Sequence, residues 1–261
     1  MKHLLSKPVT TYTLVLGLLL CTFTSINAVA QDQQVRTHAT ITVDRLDSHK
    51  FITRYDKDIK RYFQENIDLE SKDCDVLFLG SSSINMWSTI YDDMAPLNII
   101  RRSYGGSAIR DMIYNYDVIA RDYNPRAIVL YCENDITGGK DDITALEIID
   151  LFRVFISKLQ TEYADVPIFL IGMKPSPARG HLLPMQVRVN QLFHDFASIT
   201  EGVEYLDIPT LMYSHPENDK LNPENIRQDI WVEDRLHMNA KGYKIWTDAL
   251  KPKLIEAVNN K

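Results

Sequence analysis

The chain of 261 residues is 45% hydrophobic, 25% charged and 10% aromatic, with 10 Gly, 11 Pro and 3 Cys. That composition excludes a collagen, a low-complexity chain and a disulfide-dense miniature scaffold. With 29 basic against 35 acidic residues, a net charge of -6 and no Lys/Arg block, the chain lacks the cationic footprint that nucleic-acid binding requires.

At the amino terminus, Lys2 and Lys7 precede an apolar run from Tyr12 to Phe23, followed by polar Thr24, Ser25 and Asn27. Ala28-Val29-Ala30 then puts small residues at the two positions a signal peptidase reads, so residues 1–30 are predicted to be a secretory signal peptide cleaved after Ala30. The run falls short of the ~20 apolar residues a spanning helix needs, and no stable membrane span is expected after cleavage. Leu18-Leu19-Leu20-Cys21 faintly resembles a lipoprotein signal, but a bulky Leu directly before the Cys argues against it. The mature protein is therefore expected to be exported, periplasmic or secreted.

Residues 31–72 read as an N-terminal extension. Phe51, Ile52, Tyr55, Ile59, Tyr62, Phe63 and Ile67 recur there at three- and four-residue spacing, which predicts an amphipathic helix over 47–71 packing on a larger body. Beyond it, strand-like apolar runs at 76–79, 97–100, 127–131, 168–171 and 203–208 alternate with helical patterns at 109–120, 142–160, 185–198 and 240–258. Near-continuous apolar strands separated by helices predict a parallel sheet covered on both faces. The reading is one α/β domain over 73–261, a three-layer α/β/α sandwich around a mainly five-stranded parallel sheet. Export permits a disulfide, yet Cys74 and Cys132 fall at opposite ends of their strands and are predicted to be free thiols. The 209–230 connection is long enough to cover a cleft.

Ligands of such sheets bind beyond the carboxyl ends of the strands, and the residues there are unusual. Phe78-Leu79-Gly80-Ser81-Ser82-Ser83-Ile84-Asn85-Met86-Trp87 follows the first strand, and Arg101-Arg102-Ser103-Tyr104-Gly105-Gly106-Ser107 the second. Tyr131-Cys132-Glu133-Asn134-Asp135-Ile136 follows the third, and Asp234-Arg235-Leu236-His237-Met238-Asn239 precedes the last helix. These four blocks, in this order, resemble those of the SGNH (GDSL-type) hydrolases, an esterase and lipase family. The resemblance runs from about Cys74 to Trp246 and implies a flavodoxin-like fold, with Ser82 as nucleophile, Asp234 and His237 completing a triad, and Ser82, Gly106 and Asn134 lining an oxyanion hole. Met173-Lys174-Pro175-Ser176-Pro177-Ala178-Arg179 is also similar to a stretch of esterase-like members. The chain departs from the family pattern at Ser81, where Asp is usual, at Arg101, where many members have Asn, and at Cys132, where many have Gly.

The chemistry can be argued from the residues themselves. A serine hydroxyl is a poor nucleophile until a base takes its proton. Asp234 and His237 are three apart, a spacing that lets a carboxylate on a tight turn accept Nδ1–H and leave Nε2 for Ser82. Taken singly, Ser82 could be a helix cap, Asn134 and Gly106 turn residues and His237 a surface histidine; all four at strand ends point to a site. Gly80-x-Ser82-x-Ile84 lacks the second Gly of the α/β-hydrolase elbow. Thr137-Gly138-Gly139-Lys140-Asp141 lacks the upstream Gly of a P-loop, and the seven His are scattered, so neither a metal nor another cofactor is expected. The expected activity is hydrolysis of carboxylic esters, either acetylated carbohydrates or small acyl esters. An O-acyltransferase acting on a saccharide and a non-catalytic carbohydrate-binding module of the same fold are the alternatives, and the oligomeric state is open.

Overall fold

A computed structural model describes residues 54–260. The predicted signal peptide and the first residues of the predicted helix over 47–71 lie outside the described residues. Helix α1 spans Asp56–Asp68 and buries Tyr62, whose hydroxyl accepts the Ser103 N–H at 3.1 Å and donates to the Ser103 carbonyl. Then follow β1 (Asp73–Gly80), α2 (Ser82–Asn85), α3 (Ile90–Met94), β2 (Ile99–Ser103), α4 (Ile109–Tyr114), α5 (Tyr116–Ile119) and β3 (Asn124–Tyr131). After these come α6 (Ala145–Glu162), β4 (Ile168–Ile171), a 3-10 turn (Pro177–Leu182), α7 (Leu183–Ser198), β5 (Val203–Leu206) and α8 (Ala240–Asn259).

The five strands are parallel in the order β2-β1-β3-β4-β5. Alternate residues of each strand feed opposite faces, as the two-residue period demands. Leu77, Leu79, Ile128 and Leu130 pack with Phe152, Phe155 and Phe193 on one side. Val76, Phe78, Val129 and Tyr131 pack with Trp87, Trp246 and Leu250 on the other. Both faces are buried, so the strands read as continuous apolar runs.

Two elements differ from the sequence expectation. Strand β2 begins at Ile99 and continues through Arg101 and Arg102, residues whose charge reads as loop. Arg102 is nonetheless buried, its guanidinium donating to Tyr123 Oη at 2.8 Å and Asn66 Oδ1 at 2.7 Å and facing Glu65 at 3.2 Å. The helical pattern over 109–120 splits at Asn115, whose side-chain amide donates to the Asp111 carbonyl at 2.9 Å. Asn in mid-helix offers the backbone such a competing bond.

The parallel register places Cys74 opposite Pro125, seven positions before Cys132. At ~3.3 Å per residue the sulfurs are about 23 Å apart along the strands, and both are free thiols. The 209–230 segment folds on itself through an antiparallel bridge between Tyr213 and Ile226. There Asn225 bonds the His215 N–H at 3.0 Å and its carbonyl at 2.9 Å. Among the described residues no helix is long and apolar enough to cross a membrane.

Asp135, just past β3, is fully buried and accepts the Ile109 N–H at 2.8 Å, tying the start of α4 to the sheet. Burial pushes its carboxyl up to about 6, despite the Ile109 amide and Arg110, whose Nε is 3.9 Å away, and with Asp111 and Asp142 nearby. A carboxyl raised in the folded state above its unfolded value of ~3.9 contributes stability that is present below that value and lost as pH rises through the folded pKa. Asp135→Asn keeps an oxygen for Ile109 and should abolish this loss, leaving the variant more stable than wild type at pH 7.5 by about 2–3 kcal/mol. Urea unfolding at pH 4 and 7.5 measures it; identical pH dependence in the two proteins would refute the burial argument.

Candidate active site

The site begins at Gly80. A Cβ there would lie 2.4 Å from the Tyr131 carbonyl oxygen and 2.7 Å from Ile84 Cδ1, so only glycine lets β1 turn this tightly against β3. The Ser81 N–H donates to the Tyr131 carbonyl at 3.1 Å and the Tyr104 N–H to the Gly80 carbonyl at 3.2 Å, so the three strand ends are stitched together. Ser81 takes the N-cap position of α2, and Ser82 is the first residue inside it, largely buried. Ser82 is therefore not the cap, and its N–H, like those of any first helical turn, has no acceptor within the helix.

Gly106 has φ +79, a left-handed conformation that favours glycine, and a side chain there would meet Tyr55 Oη at 3.3 Å. Its carbonyl accepts Arg54 Nη2 at 2.8 Å. Beyond β3, Asn134 donates from Nδ2 to the Ser107 carbonyl at 3.1 Å and accepts from Arg179 Nη2 at Oδ1, 3.0 Å away. Ser82, Gly106 and Asn134 thus extend from the ends of three adjacent strands.

Asp234 and His237 sit on a short loop closed by the Trp231–Met238 bridge, with Arg235 at φ +56. Asp234 Oδ1 accepts the N–H groups of Leu236 and His237, both at 2.9 Å, and Oδ2 lies 2.6 Å from His237 Nδ1. Burial pushes the Asp234 carboxyl up, but these bonds from His237 and Leu236 outweigh it and hold the group at about 2. An ionised carboxylate only accepts, so Nδ1 carries the hydrogen of this contact and Nε2 is the ring nitrogen left for another partner. Asn239 then caps α8, accepting the Lys241 and Gly242 N–H groups.

This loop and the helix that follows it are joined to neighbouring elements. The Ala178 N–H donates to the Arg235 carbonyl at 3.1 Å. Tyr243, stacked on Trp87 with ring centroids 5.2 Å apart, donates its hydroxyl to the Ser83 carbonyl at 3.0 Å. Among the described residues no hydrogen bond joins Ser82 Oγ to His237 Nε2.

Three charged residues near Asn134 carry no role in the sequence reading. Glu133 and Lys174 form a fully buried pair at 2.7 Å, and Arg179 Nη1 lies 3.4 Å from the same Glu133 oxygen. Their only sequence signal was position: Glu133 adjoins Asn134, and the other two lie in the esterase-like stretch after β4. A separate cavity of about 310 Å³, lined in part by Asn190, His194, Tyr205, Pro209 and Tyr213, contains none of the five candidate residues.

No family model matches the sequence, and no curated protein matches it. Solved structures do resemble it. A protein described as an acylhydrolase from Bacteroides fragilis superposes with a TM-score of 0.64 at 17% identity, over 76% of this chain and 96% of its own. A GDSL-like lipase from Bacteroides thetaiotaomicron gives 0.61 at 15% identity, over 76% of this chain and 98% of its own. A carbohydrate esterase family 3 protein from Talaromyces cellulolyticus gives 0.56 at 14% identity, over 71% and 98%. Identities this low speak to architecture, and in architecture the chain has the fold of the SGNH (GDSL-type) hydrolases.

Proposed function

We propose that the protein is an exported serine esterase that hydrolyses carboxylic esters, acetylated carbohydrates or small acyl esters, by acyl transfer to Ser82 and then to water. The observation that carries this reading is the 2.6 Å contact between His237 Nδ1 and Asp234, which fixes the imidazole with Nε2 as a base. In the first step Nε2 takes the Ser82 hydroxyl proton as Oγ bonds to the ester carbonyl carbon. The carbonyl π electrons move to oxygen, and the oxyanion is met by the N–H groups of Ser82 and Gly106 and by Asn134 Nδ2. Collapse expels the alkoxide, which leaves as alcohol with the proton held on His237. Water then attacks the acyl-Ser82 by the same path, releasing the acid and restoring the serine. Asp234 stays ionised throughout and stabilises the imidazolium. The names of the structural neighbours, among them an acetyl esterase crystallised with an acetate ion and a carbohydrate esterase, support the substrate class.

Ser82→Ala should reduce hydrolysis of p-nitrophenyl acetate at least ~10³-fold with an unchanged melting temperature; an active variant would refute the assignment. Asn134→Ala should lower kcat by roughly 10²–10³, about 3–4 kcal/mol, with little change in KM. A loss confined to KM would remove Asn134 from the oxyanion hole. Acetate release from acetylated xylan with and without a free saccharide acceptor separates hydrolysis from acyl transfer.

A further inference from the structure

The buried charges behind Asn134 take no direct part in the steps above. Asn134 has two amide ends, and each has a partner of fixed sense. Arg179 can only donate, so the atom facing Nη2 at 3.0 Å must be the amide oxygen. The Ser107 carbonyl can only accept, so the atom facing it at 3.1 Å must be the amide nitrogen. Flipping the amide would set donor against donor and acceptor against acceptor. One Nδ2 hydrogen is used on Ser107, and the second is left for a substrate oxygen.

Arg179 is itself held. Its Nη1 faces Glu133 Oε1 at 3.4 Å, and the same oxygen takes Lys174 Nζ at 2.7 Å, with Glu133 and Lys174 both 1% exposed. Burial pushes the Glu133 carboxyl up, but Lys174 and Arg179 outweigh it and hold it below the ordinary range. Two cations against one anion leave a net positive charge behind the amide. The 3-10 turn that presents Arg179 also donates the Ala178 N–H to the Arg235 carbonyl, between Asp234 and His237.

We propose that Arg179 is the positioning residue of the oxyanion hole: its guanidinium locks the Asn134 amide in the donating orientation and, backed by Lys174 and Glu133, polarises it toward the developing oxyanion. Hydrogen bonds in series strengthen one another in a low-dielectric site, and a donor aimed where charge develops acts on the transition state rather than on substrate binding. The role of Arg179 is exerted entirely through Asn134, and it rests on the esterase reading above.

The test is a cycle of Arg179→Met, Asn134→Ala and the double variant, with Arg179→Lys as a conservative control that keeps the charge but not the fork. Readouts are kcat and KM for p-nitrophenyl acetate, inhibition by phenylboronic acid as a tetrahedral mimic, and the melting temperature. Arg179→Met should lower kcat on the order of 10- to 100-fold, less than loss of the donor itself, with KM nearly constant and boronic-acid affinity reduced in parallel. In the Asn134→Ala background the same change should cost under about 3-fold, and Arg179→Lys should recover part of the loss. An active enzyme in which the two losses multiply, or in which Arg179→Met changes only KM, overturns the positioning role and leaves the esterase reading intact. If Arg179→Met does not fold, the folded Arg179→Lys variant decides by the same coupling with Asn134→Ala. A wild-type protein with no ester hydrolysis overturns both.

Discussion

Gly80 stands opposite Ser103 on one side and Tyr131 on the other, and a methyl group in its place would lie 2.4 Å from the Tyr131 carbonyl oxygen. This register makes three neighbouring strands end level. Ser82 lies two residues past Gly80, Gly106 three past Ser103 and Asn134 three past Tyr131, so they leave the sheet at one height. A slip of one residue would also turn every strand side chain to the wrong face of a sheet buried on both sides, so the core that stabilises the fold enforces the geometry of the site. The order β2-β1-β3-β4-β5 reverses direction between β1 and β3, the crevice where doubly wound sheets bind their ligands.

The other part of the proposed site, the Asp234–His237 loop, comes from at least a hundred residues further along the chain and is fixed by different means. The Asp234–His237 loop has no strand to hold it. It is closed by its own backbone bonds, with Arg235 in a left-handed conformation, and anchored through Ala178 on one side and Tyr243 on the other. Buried ion pairs are rarely a net gain in stability, because taking each charge out of water costs several kcal/mol that the attraction only partly returns. The Glu133–Lys174–Arg179 cluster is better understood as an orienting device next to Asn134 than as a source of stability.

The fold was legible because apolar strands and amphipathic helices carry clear periods. All five strands and the helices predicted over 142–160, 185–198 and 240–258 lie where the pattern puts them, with ends shifted by a few residues, while the helix predicted over 47–71 is shorter, Asp56–Asp68. The exceptions have local causes. Arg101 and Arg102 hide the second half of β2, since nothing nearby in sequence announces that Glu65, Asn66 and Tyr123 neutralise Arg102. Asn115 breaks a helix whose apolar spacing continues across it. As candidates for the proposed site, Ser82, Gly106, Asn134, Asp234 and His237 were legible from block order, because each block sits at a strand end or helix start with its own turn chemistry. Arg179 and Glu133 were not, because an amide flip and a buried counter-charge depend on contacts between residues 45 and 41 positions apart. No spacing rule covers such contacts.

The proposed chemistry turns on the Ser82 hydroxyl being made nucleophilic by the His237–Asp234 pair. A fluorophosphonate forms a bond from serine Oγ to phosphorus with loss of fluoride, and the adduct is stable enough to map by peptide mass spectrometry. The wild-type protein should gain one phosphonyl group, on the peptide containing Ser82, at a rate that falls sharply in His237→Ala. An adduct on any other residue, or labelling at Ser82 that proceeds equally fast without the imidazole, would contradict it.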